Sequence, residues 1–267
     1  MRIALCQLGS STTNLNHNIE MVIRAANQCK SKNCDVLVFP EATQLAFGGD
    51  LQEACAQSTA FVHGLQQAAL ISHAVVIAGG FRPADGNDAR VKNTLFFVNE
   101  HGLVHCYDKI HGFNALGYRE IDTIQPGTTV PKPYMGIGCA ICYDLRFPSM
   151  FCTQARNGAD IIVVAASWAD GDLKAEQWET LSRARALDSC CFIVAVGQPD
   201  PSTIGNTVPS NQPSGIGSSL VWAPDGKCLS RLGRGNAIEL VDIPTSDITR
   251  YRSIFRVLEN EVPGIDL

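Results

Sequence analysis

Three chemically complementary residues, Glu41, Lys109 and Cys142, each stand at the end of a predicted strand. A thiol that attacks a carbonyl or nitrile carbon needs a base for its proton, and a glutamate can serve if burial raises its pKa towards neutral. A lysine ammonium stabilises the oxyanion of the tetrahedral intermediate and, beside the sulfur, favours thiolate over thiol. The set predicts a nucleophile (Cys142), a general base (Glu41) and an oxyanion stabiliser (Lys109), the last assisted by the main-chain amide of Tyr143.

The element that must position Cys142 is a short buried strand. The apolar run Ile137–Ile141 is preceded by glycine and followed by Asp144 and Pro148, a pattern typical of a strand that ends in a tight turn. A helix that begins near Phe147 or Pro148 would point its positive end at this turn. A buried structural thiol is the alternative for any one cysteine, so the hypothesis depends on the three residues together.

Glu41 and Lys109 also follow predicted strands. The strand over residues 35–39 is stopped by Pro40, and Glu41 comes next, at the carboxyl end where α/β proteins carry their chemistry. A hairpin over residues 93–110 contains Lys109 at the end of its second strand. The remaining pattern predicts helices at 14–32, 58–72, 147–157 and 174–188, and strands at 1–8, 74–78, 160–166, 191–196, 216–222, 228–232 and 237–243.

The composition indicates one globular domain over residues 1–267, with 45% hydrophobic residues, 18% charged residues and a net charge of -5. This charge and the lack of a basic run disfavour nucleic acid or an anionic membrane as the main partner. The N-terminus becomes polar too early for a signal peptide, and no apolar stretch reaches the roughly 18 residues that span a bilayer. We therefore expect a cytoplasmic protein.

The eleven cysteines predict core thiols, because their number is odd and most of them lie in apolar runs. Cys139 and Cys142 form a C-x-x-C pair, but in a strand their side chains point to opposite faces, and no second pair with suitable histidine spacing follows. A zinc protein or a thiol–disulfide protein is the weaker alternative that the cysteine count leaves open.

The motifs around these residues resemble those of the nitrilase superfamily of carbon–nitrogen hydrolases, over nearly the whole chain. They are Phe39-Pro40-Glu41, residues 107–111 (Tyr-Asp-Lys-Ile-His) and residues 142–148 (Cys-Tyr-Asp-Leu-Arg-Phe-Pro). The resemblance implies a four-layer α-β-β-α sandwich, a Glu-Lys-Cys triad, and Glu120 as a second glutamate that positions the lysine and the substrate. It also implies no metal, no organic cofactor, and pairing of subunits through helices near the nucleophile.

Within the superfamily the chain resembles the small amidases that act on ω-amides of dicarboxylic acids and on deaminated glutathione. The resemblance implies that thiolate attack releases ammonia or an amine and that water directed by Glu41 then hydrolyses the thioester. The substrate is then a small carboxylated amide. Hydrolysis of an N-carbamoyl amino acid or of an aliphatic amide is the alternative.

Further residues are predicted to bind the substrate. Phe113 and Trp168 line the pocket or belong to the core, and the loop over residues 200–214 lines or covers the pocket. Arg146 is either a clamp for a substrate carboxylate or, as the favoured interpretation, the structural partner of Asp144 or another acid.

Two alternatives and one expectation on assembly complete the sequence analysis. A cysteine–histidine hydrolase that uses His111 as its base is the mechanistic alternative. A non-catalytic nitrilase-like assembly module is the alternative of another class, which the intact triad residues argue against. Residues 255–267 are predicted to form a C-terminal tail. Few elements remain that could cover its apolar side chains, so we expect this tail at the interface of a homodimer or a higher homo-oligomer.

Overall fold

The computed structural model describes residues 1–115, 117–205 and 213–262. In these residues strands and helices alternate along the chain, as predicted for an α/β protein. The strands are β1 (Arg2–Gln7), β2 (Val36–Val38), β3 (Val75–Pro83), β4 (Val91–Asn99), β5 (Gly102–Asp108), β6 (Asn114–Ala115), β7 (Tyr118–Arg119), β8 (Ile137–Ile141), β9 (Ile161–Ala166), β10 (Phe192–Gly197), β11 (Leu220–Trp222), β12 (Cys228–Arg231) and β13 (Ala237–Asp242). The helices are α1 (Leu15–Cys29), α2 (Leu51–Ala56), α3 (Ser58–Ser72), α4 (Pro148–Arg156), α5 (Lys174–Ser189), α6 (Ile248–Phe255) and α7 (Val257–Asn260).

Two mixed sheets form the centre of the molecule. The larger sheet has the order β13-β1-β2-β3-β4-β5, in which β1, β2 and β3 are parallel and the other pairs are antiparallel. The smaller sheet has the order β12-β11-β10-β9-β8, in which β8, β9 and β10 are parallel. Helices α1, α3, α4 and α5 make the crossovers that parallel neighbours require.

The alternation of side chains along β1 shows how the layers are built. Ile3 and Leu5 belong to the core that contains residues of both sheets, whereas Ala4 and Cys6 pack with the apolar faces of α1 and α3. The outer face of the smaller sheet is covered by α4 and α5, whose buried residues include Trp178. The order of layers is therefore α-β-β-α, and the predicted sandwich is confirmed.

Strand β3 continues through Gly79 and Gly80 to Pro83, although the glycine pair predicted an end near residue 78. These glycines allow a close approach and do not interrupt the strand. A Cβ on Gly79 would lie 2.6 Å from the Cα atom of Glu41, so only glycine lets β3 pass this turn. Helix α2 was not predicted, and the predicted C-terminal tail contains α7.

The strand directions bring the predicted site residues to one end of the sandwich. Strand β5 runs antiparallel to β4, which runs antiparallel to β3, so β2, β3 and β5 end at the same edge of the larger sheet. Strands β8 and β9 end together in the smaller sheet. These two edges meet, because the main-chain N–H of Ser167 after β9 donates to Glu41 Oε2 after β2 (2.8 Å).

No helix within the described ranges is both long enough and apolar enough to cross a membrane.

Candidate active site

Glu41 lies in a tight turn directly after β2 and is buried. The next residue, Ala42, has φ +57°, a left-handed conformation that is costly for any residue with a side chain. The Glu41 carboxylate is held from two sides: Oε1 accepts hydrogen bonds from Lys109 Nζ (3.0 Å) and Asn93 Nδ2 (2.8 Å), and Oε2 accepts from the Ser167 N–H. Burial raises the pKa of Glu41, although the positive charge of Lys109 opposes this shift.

Lys109 follows β5 and joins two carboxylates. Its Nζ atom donates to Glu41 Oε1 (3.0 Å) and to both oxygens of Glu120 (2.9 and 2.8 Å). Burial disfavours the ammonium, but the charges of Glu120 and Glu41 outweigh it and raise the pKa of Lys109 well above its usual value. Lys109 is therefore a fixed positive charge in this site.

Glu120 begins a short 3-10 turn in the irregular segment after β5. Its Oε2 atom accepts from the main-chain N–H of Phe113 (2.7 Å), and its Oε1 atom accepts from Asn93 Nδ2 (3.2 Å). Because Glu120 also bonds Lys109 through both oxygens, it fixes the position of the lysine. This contact agrees with the positioning contact that the family resemblance implied.

Cys142 is the first residue after β8 and has φ +46°, so it lies on a strained turn. Its thiol donates to the Ser167 carbonyl (Sγ to O, 3.8 Å), beside the N–H that holds Glu41. Burial, followed by the negative charge of Glu41, raises the pKa of the Cys142 thiol well above its usual value, and Lys109 lowers it by less. Lys109 favours the thiolate as expected, but burial and the charge of Glu41 outweigh its effect on the thiol pKa.

Asp144 is buried, and its hydrogen bonds go to residues other than Arg146. Its carboxylate accepts hydrogen bonds from the Tyr107 hydroxyl (2.7 Å), the Ile141 N–H (2.9 Å) and the main-chain N–H of His111 (3.1 Å). The ring atom Nδ1 of His111 lies 2.7 Å from the same carboxylate. The favoured interpretation of Arg146 as the partner of Asp144 is therefore wrong. The His111 ring lies on this side of the turn, where it stacks on the ring of Phe147.

Arg146 points to the cavity that contains Cys142. Its guanidinium donates to Gln177 Oε1 (2.7 Å) and lies over the rings of Tyr143 (5.7 Å to the centroid) and Trp168 (5.5 Å). A 3-10 turn over Cys142–Arg146 separates the thiol from α4, which begins at Pro148 as predicted. Cys142 and Arg146, at the two ends of this turn, line the same cavity.

The predicted site residues share one small cavity of about 20 Å³, which is the room of roughly one water molecule. Trp168 is both a wall of the cavity and part of the core, since its indole N–H donates to the Lys174 carbonyl (2.9 Å) and its ring packs on Trp178. Of the predicted loop 200–214, Pro213 reaches the cavity, and residues 206–212 lie outside the described residues. The predicted residues that line the cavity are Glu41, Lys109, Phe113, Glu120, Cys142, Tyr143, Arg146 and Trp168.

Asn93 and Lys174 are among the site residues that escaped the sequence analysis. Asn93 donates to both Glu41 and Glu120, and its only sequence signal is a buried amide at the start of a strand. Lys174 lines the cavity from the first turn of α5, where the helix dipole favours an acid over a cation. That unfavourable placement is the sequence signal by which Lys174 could have been found.

All eleven cysteines are free thiols, so Cys139 and Cys142 are not a disulfide in this structure. No group of three or more His, Cys, Asp and Glu side chains within residues 1–115, 117–205 and 213–262 is arranged as a set of metal ligands.

A four-layer sandwich that carries a cysteine, a glutamate and a lysine in one buried cavity is the architecture of a carbon–nitrogen hydrolase. The family model described as "Carbon-nitrogen hydrolase" matches residues 2–253, and the chain belongs to this family. The resemblance to the nitrilase superfamily is thereby confirmed, and the protein is a hydrolase of C–N bonds other than peptide bonds.

Relatives and solved structures match over most or all of the chain. A hydrolase of Mycobacterium tuberculosis is 35% identical over 277 aligned residues, which cover 100% of this chain and 98% of that protein. The deaminated glutathione amidase of Escherichia coli O157:H7 is 31% identical over 175 residues, 64% of this chain and 62% of that enzyme. The crystal structure of Nit3 from Saccharomyces cerevisiae, a member of branch 10 of the nitrilase superfamily, has a TM-score of 0.80 at 22% identity and covers 95% of this chain and 93% of its own.

Proposed function

We propose that this protein is a thiol amidohydrolase that cleaves the C–N bond of a small carboxylated amide and releases ammonia. The observation that carries the proposal is the convergence of Cys142, Glu41 and Lys109 on one buried cavity that also contains the Arg146 guanidinium. The thiol supplies the nucleophile, the carboxylate moves the proton, and the ammonium stabilises negative charge.

In the first half of the reaction Glu41 accepts the thiol proton while Cys142 Sγ attacks the amide carbon. The carbonyl oxygen becomes an oxyanion beside the Lys109 ammonium, with the Tyr143 N–H as a second donor. Glu41 then gives its proton to the amide nitrogen, the C–N bond breaks, and ammonia leaves an acyl thioester on Cys142. The raised pKa of Glu41 suits a group that must both take and return a proton.

In the second half a water molecule replaces ammonia. Glu41 accepts a proton from this water as its oxygen attacks the thioester carbon, and Lys109 again faces the oxyanion. The C–S bond breaks, the thiolate regains a proton from Glu41, and the carboxylic acid is released. The two halves return every group to its resting state, with one water consumed and one ammonia formed.

The carboxylated substrate class is supported by the surroundings of Arg146. The acid that was expected to neutralise it, Asp144, is bonded elsewhere, so the guanidinium is available for a planar bidentate contact with a substrate carboxylate. The printed name of one relative, deaminated glutathione amidase, fits the same class. An N-carbamoyl amino acid also carries a carboxylate and is therefore the second candidate.

The proposal is tested by product release from a panel that contains α-ketoglutaramate, deaminated glutathione, an N-carbamoyl amino acid, butyramide and butyronitrile. Ammonia is measured for every member except deaminated glutathione, whose amide nitrogen leaves as an amine and is measured as such. We expect the carboxylated amides to exceed butyramide in kcat/KM by about 10- to 100-fold, because hydrogen bonds to charged groups contribute about 1.5–3 kcal/mol. Preference for the N-carbamoyl amino acid selects the second candidate. Preference for butyramide or the nitrile over every carboxylated substrate would contradict the proposal.

We also propose that the protein forms a homodimer or larger homo-oligomer through its C-terminal helices. Ile254, Phe255 and Val257 on α6 and α7 are 59%, 43% and 39% exposed, while Leu258 packs against the core. Sedimentation at micromolar concentration should therefore give an oligomer for the wild type and a smaller species for Ile254→Glu/Phe255→Glu. A wild-type monomer, or an oligomer unchanged in this variant, would rule out this interface.

A further inference from the structure

Two cations, Lys174 and Arg146, line the cavity of Cys142, and both lie close to one indole ring. Lys174 Nζ lies 5.9 Å from the ring of Trp168 and 5.7 Å from the ring of Phe113. The Arg146 guanidinium lies 5.5 Å from the same Trp168 ring and 5.7 Å from that of Tyr143. Aromatic faces are the main partners of both positive charges, and such contacts are weaker than ion pairs with a well-placed carboxylate.

The charges that act on Lys174 are those of Arg146 and Cys142, and no carboxylate is among them. Burial, followed by the repulsion of Arg146, lowers the pKa of Lys174. Within the described residues, neither cation has an acidic side chain in ion-pair contact; the polar partner of Arg146 is the neutral amide of Gln177. The free protein thus holds two like charges together in a partly buried place.

The position of Lys174 in its helix is also unfavourable. It is the first residue of α5, where the positive end of the helix dipole disfavours a cation by about 0.3–1 kcal/mol. The preceding Leu173 has φ +57°, which is a strained conformation for leucine. A residue whose placement costs stability in the free protein, with no compensating contact there, is expected to serve the function of the protein.

We propose that Lys174 and Arg146 bind the carboxylate of the substrate between them and that Lys174 selects carboxylated amides over neutral ones. This inference rests on the proposed amidase function and deepens it. An anion between the two cations removes their repulsion and accepts a charge-assisted hydrogen bond from each. The walls formed by Phe113, Tyr143 and Trp168 keep water away from these contacts and so strengthen them.

The test compares two substrates of equal length, succinamate and butyramide, in which a carboxylate replaces a methyl group. In Lys174→Met we expect kcat/KM for succinamate to fall about 10- to 100-fold, mainly through KM, while butyramide changes less than about twofold. Lys174→Arg should restore most of the succinamate activity, and Lys30→Met, an exposed lysine at the end of α1, is the matched control. Equal losses on both substrates, or an unchanged ratio, would overturn the inference.

The variant should fold, because the bond from the Trp168 indole goes to the main-chain carbonyl of Lys174 and survives the change of side chain. An equal Tm for the two proteins verifies this point. Alkylation of Cys142 by iodoacetate and by iodoacetamide, followed by mass spectrometry, gives a readout that needs no turnover. The rate with iodoacetate is divided by the rate with iodoacetamide. A change in the reactivity of the thiol affects both rates equally, so this ratio reports the attraction of the site for a carboxylate.

We expect the iodoacetate-to-iodoacetamide ratio to fall about tenfold in Lys174→Met. If this ratio falls but the wild type releases no ammonia from any amide, the proposed function fails and the anion-binding pair stands. If the wild type hydrolyses amides but neither the alkylation ratio nor the succinamate preference changes in Lys174→Met, the function stands and the inference fails.

Discussion

Replacement of Cys142 by alanine is expected to abolish ammonia release, with a loss in kcat of about 10⁴-fold or more, as is typical when a covalent nucleophile is removed. Without the sulfur no thioester forms, and neither Glu41 nor Lys109 can supply a nucleophile in its place. The fold should survive, since the contact of the thiol with the Ser167 carbonyl is a long one of 3.8 Å. The measurement is a coupled ammonia assay on the best substrate of the panel.

Cys139→Ala is the matched control for this variant. Cys139 is also a buried cysteine of the same strand segment, but its side chain lies in the core and not in the cavity. This control should keep most of the wild-type kcat/KM. Activity of Cys142→Ala close to that of the wild type would remove the thioester mechanism. A wild type that hydrolyses nothing and whose Cys142 resists iodoacetamide would instead favour the non-catalytic assembly module.

Replacement of Glu41 by glutamine should lower kcat/KM by about 10²–10⁴-fold, the usual contribution of a general acid–base group. The glutamine oxygen can still accept from Lys109 and Asn93, whereas its Nε2 cannot accept from the Ser167 N–H and the amide cannot take the thiol proton. The same change removes the Glu41 charge that helps to raise the pKa of the Cys142 thiol, so the loss is read from turnover and not from the alkylation rate. The measurement is kcat/KM for ammonia release from the best substrate of the panel.

The pH dependence of kcat/KM should reveal the raised pKa of Glu41. Burial raises the pKa of Glu41, so its basic form is lost at a higher pH than that of an ordinary carboxylate. The acid limb of kcat/KM should therefore lie above the normal glutamate range in the wild type and be absent from the residual activity of Glu41→Gln. The exposed Glu53 provides the control Glu53→Gln, which should leave the profile unchanged. A wild-type profile that is flat down to pH 4.5 would refute Glu41 as the base.

The sequence by itself determined the main elements and the edge of the sheets at which the chemistry lies. A run stopped by Pro40, a hairpin pattern and an apolar run preceded by glycine located β2, β5 and β8 to within a few residues, and Glu41, Lys109 and Cys142 follow these strands closely. This was predictable because side-chain periodicity is a local property and because strand ends mark the functional edge of α/β sheets. The family motifs added the layer order and the place of Glu120.

The tertiary structure alone decided which partner each polar side chain has. Asp144 bonds Tyr107 and His111 and leaves Arg146 to the cavity, although Arg146 is nearer to it in sequence. Asn93 reaches Glu41 across 52 residues of chain, and Lys174 meets Arg146 over the Trp168 ring. The raised pKa of the Cys142 thiol likewise follows from burial. Hydrogen-bond partners, burial and pKa depend on distances through space, which strand and helix periodicity along the chain do not determine.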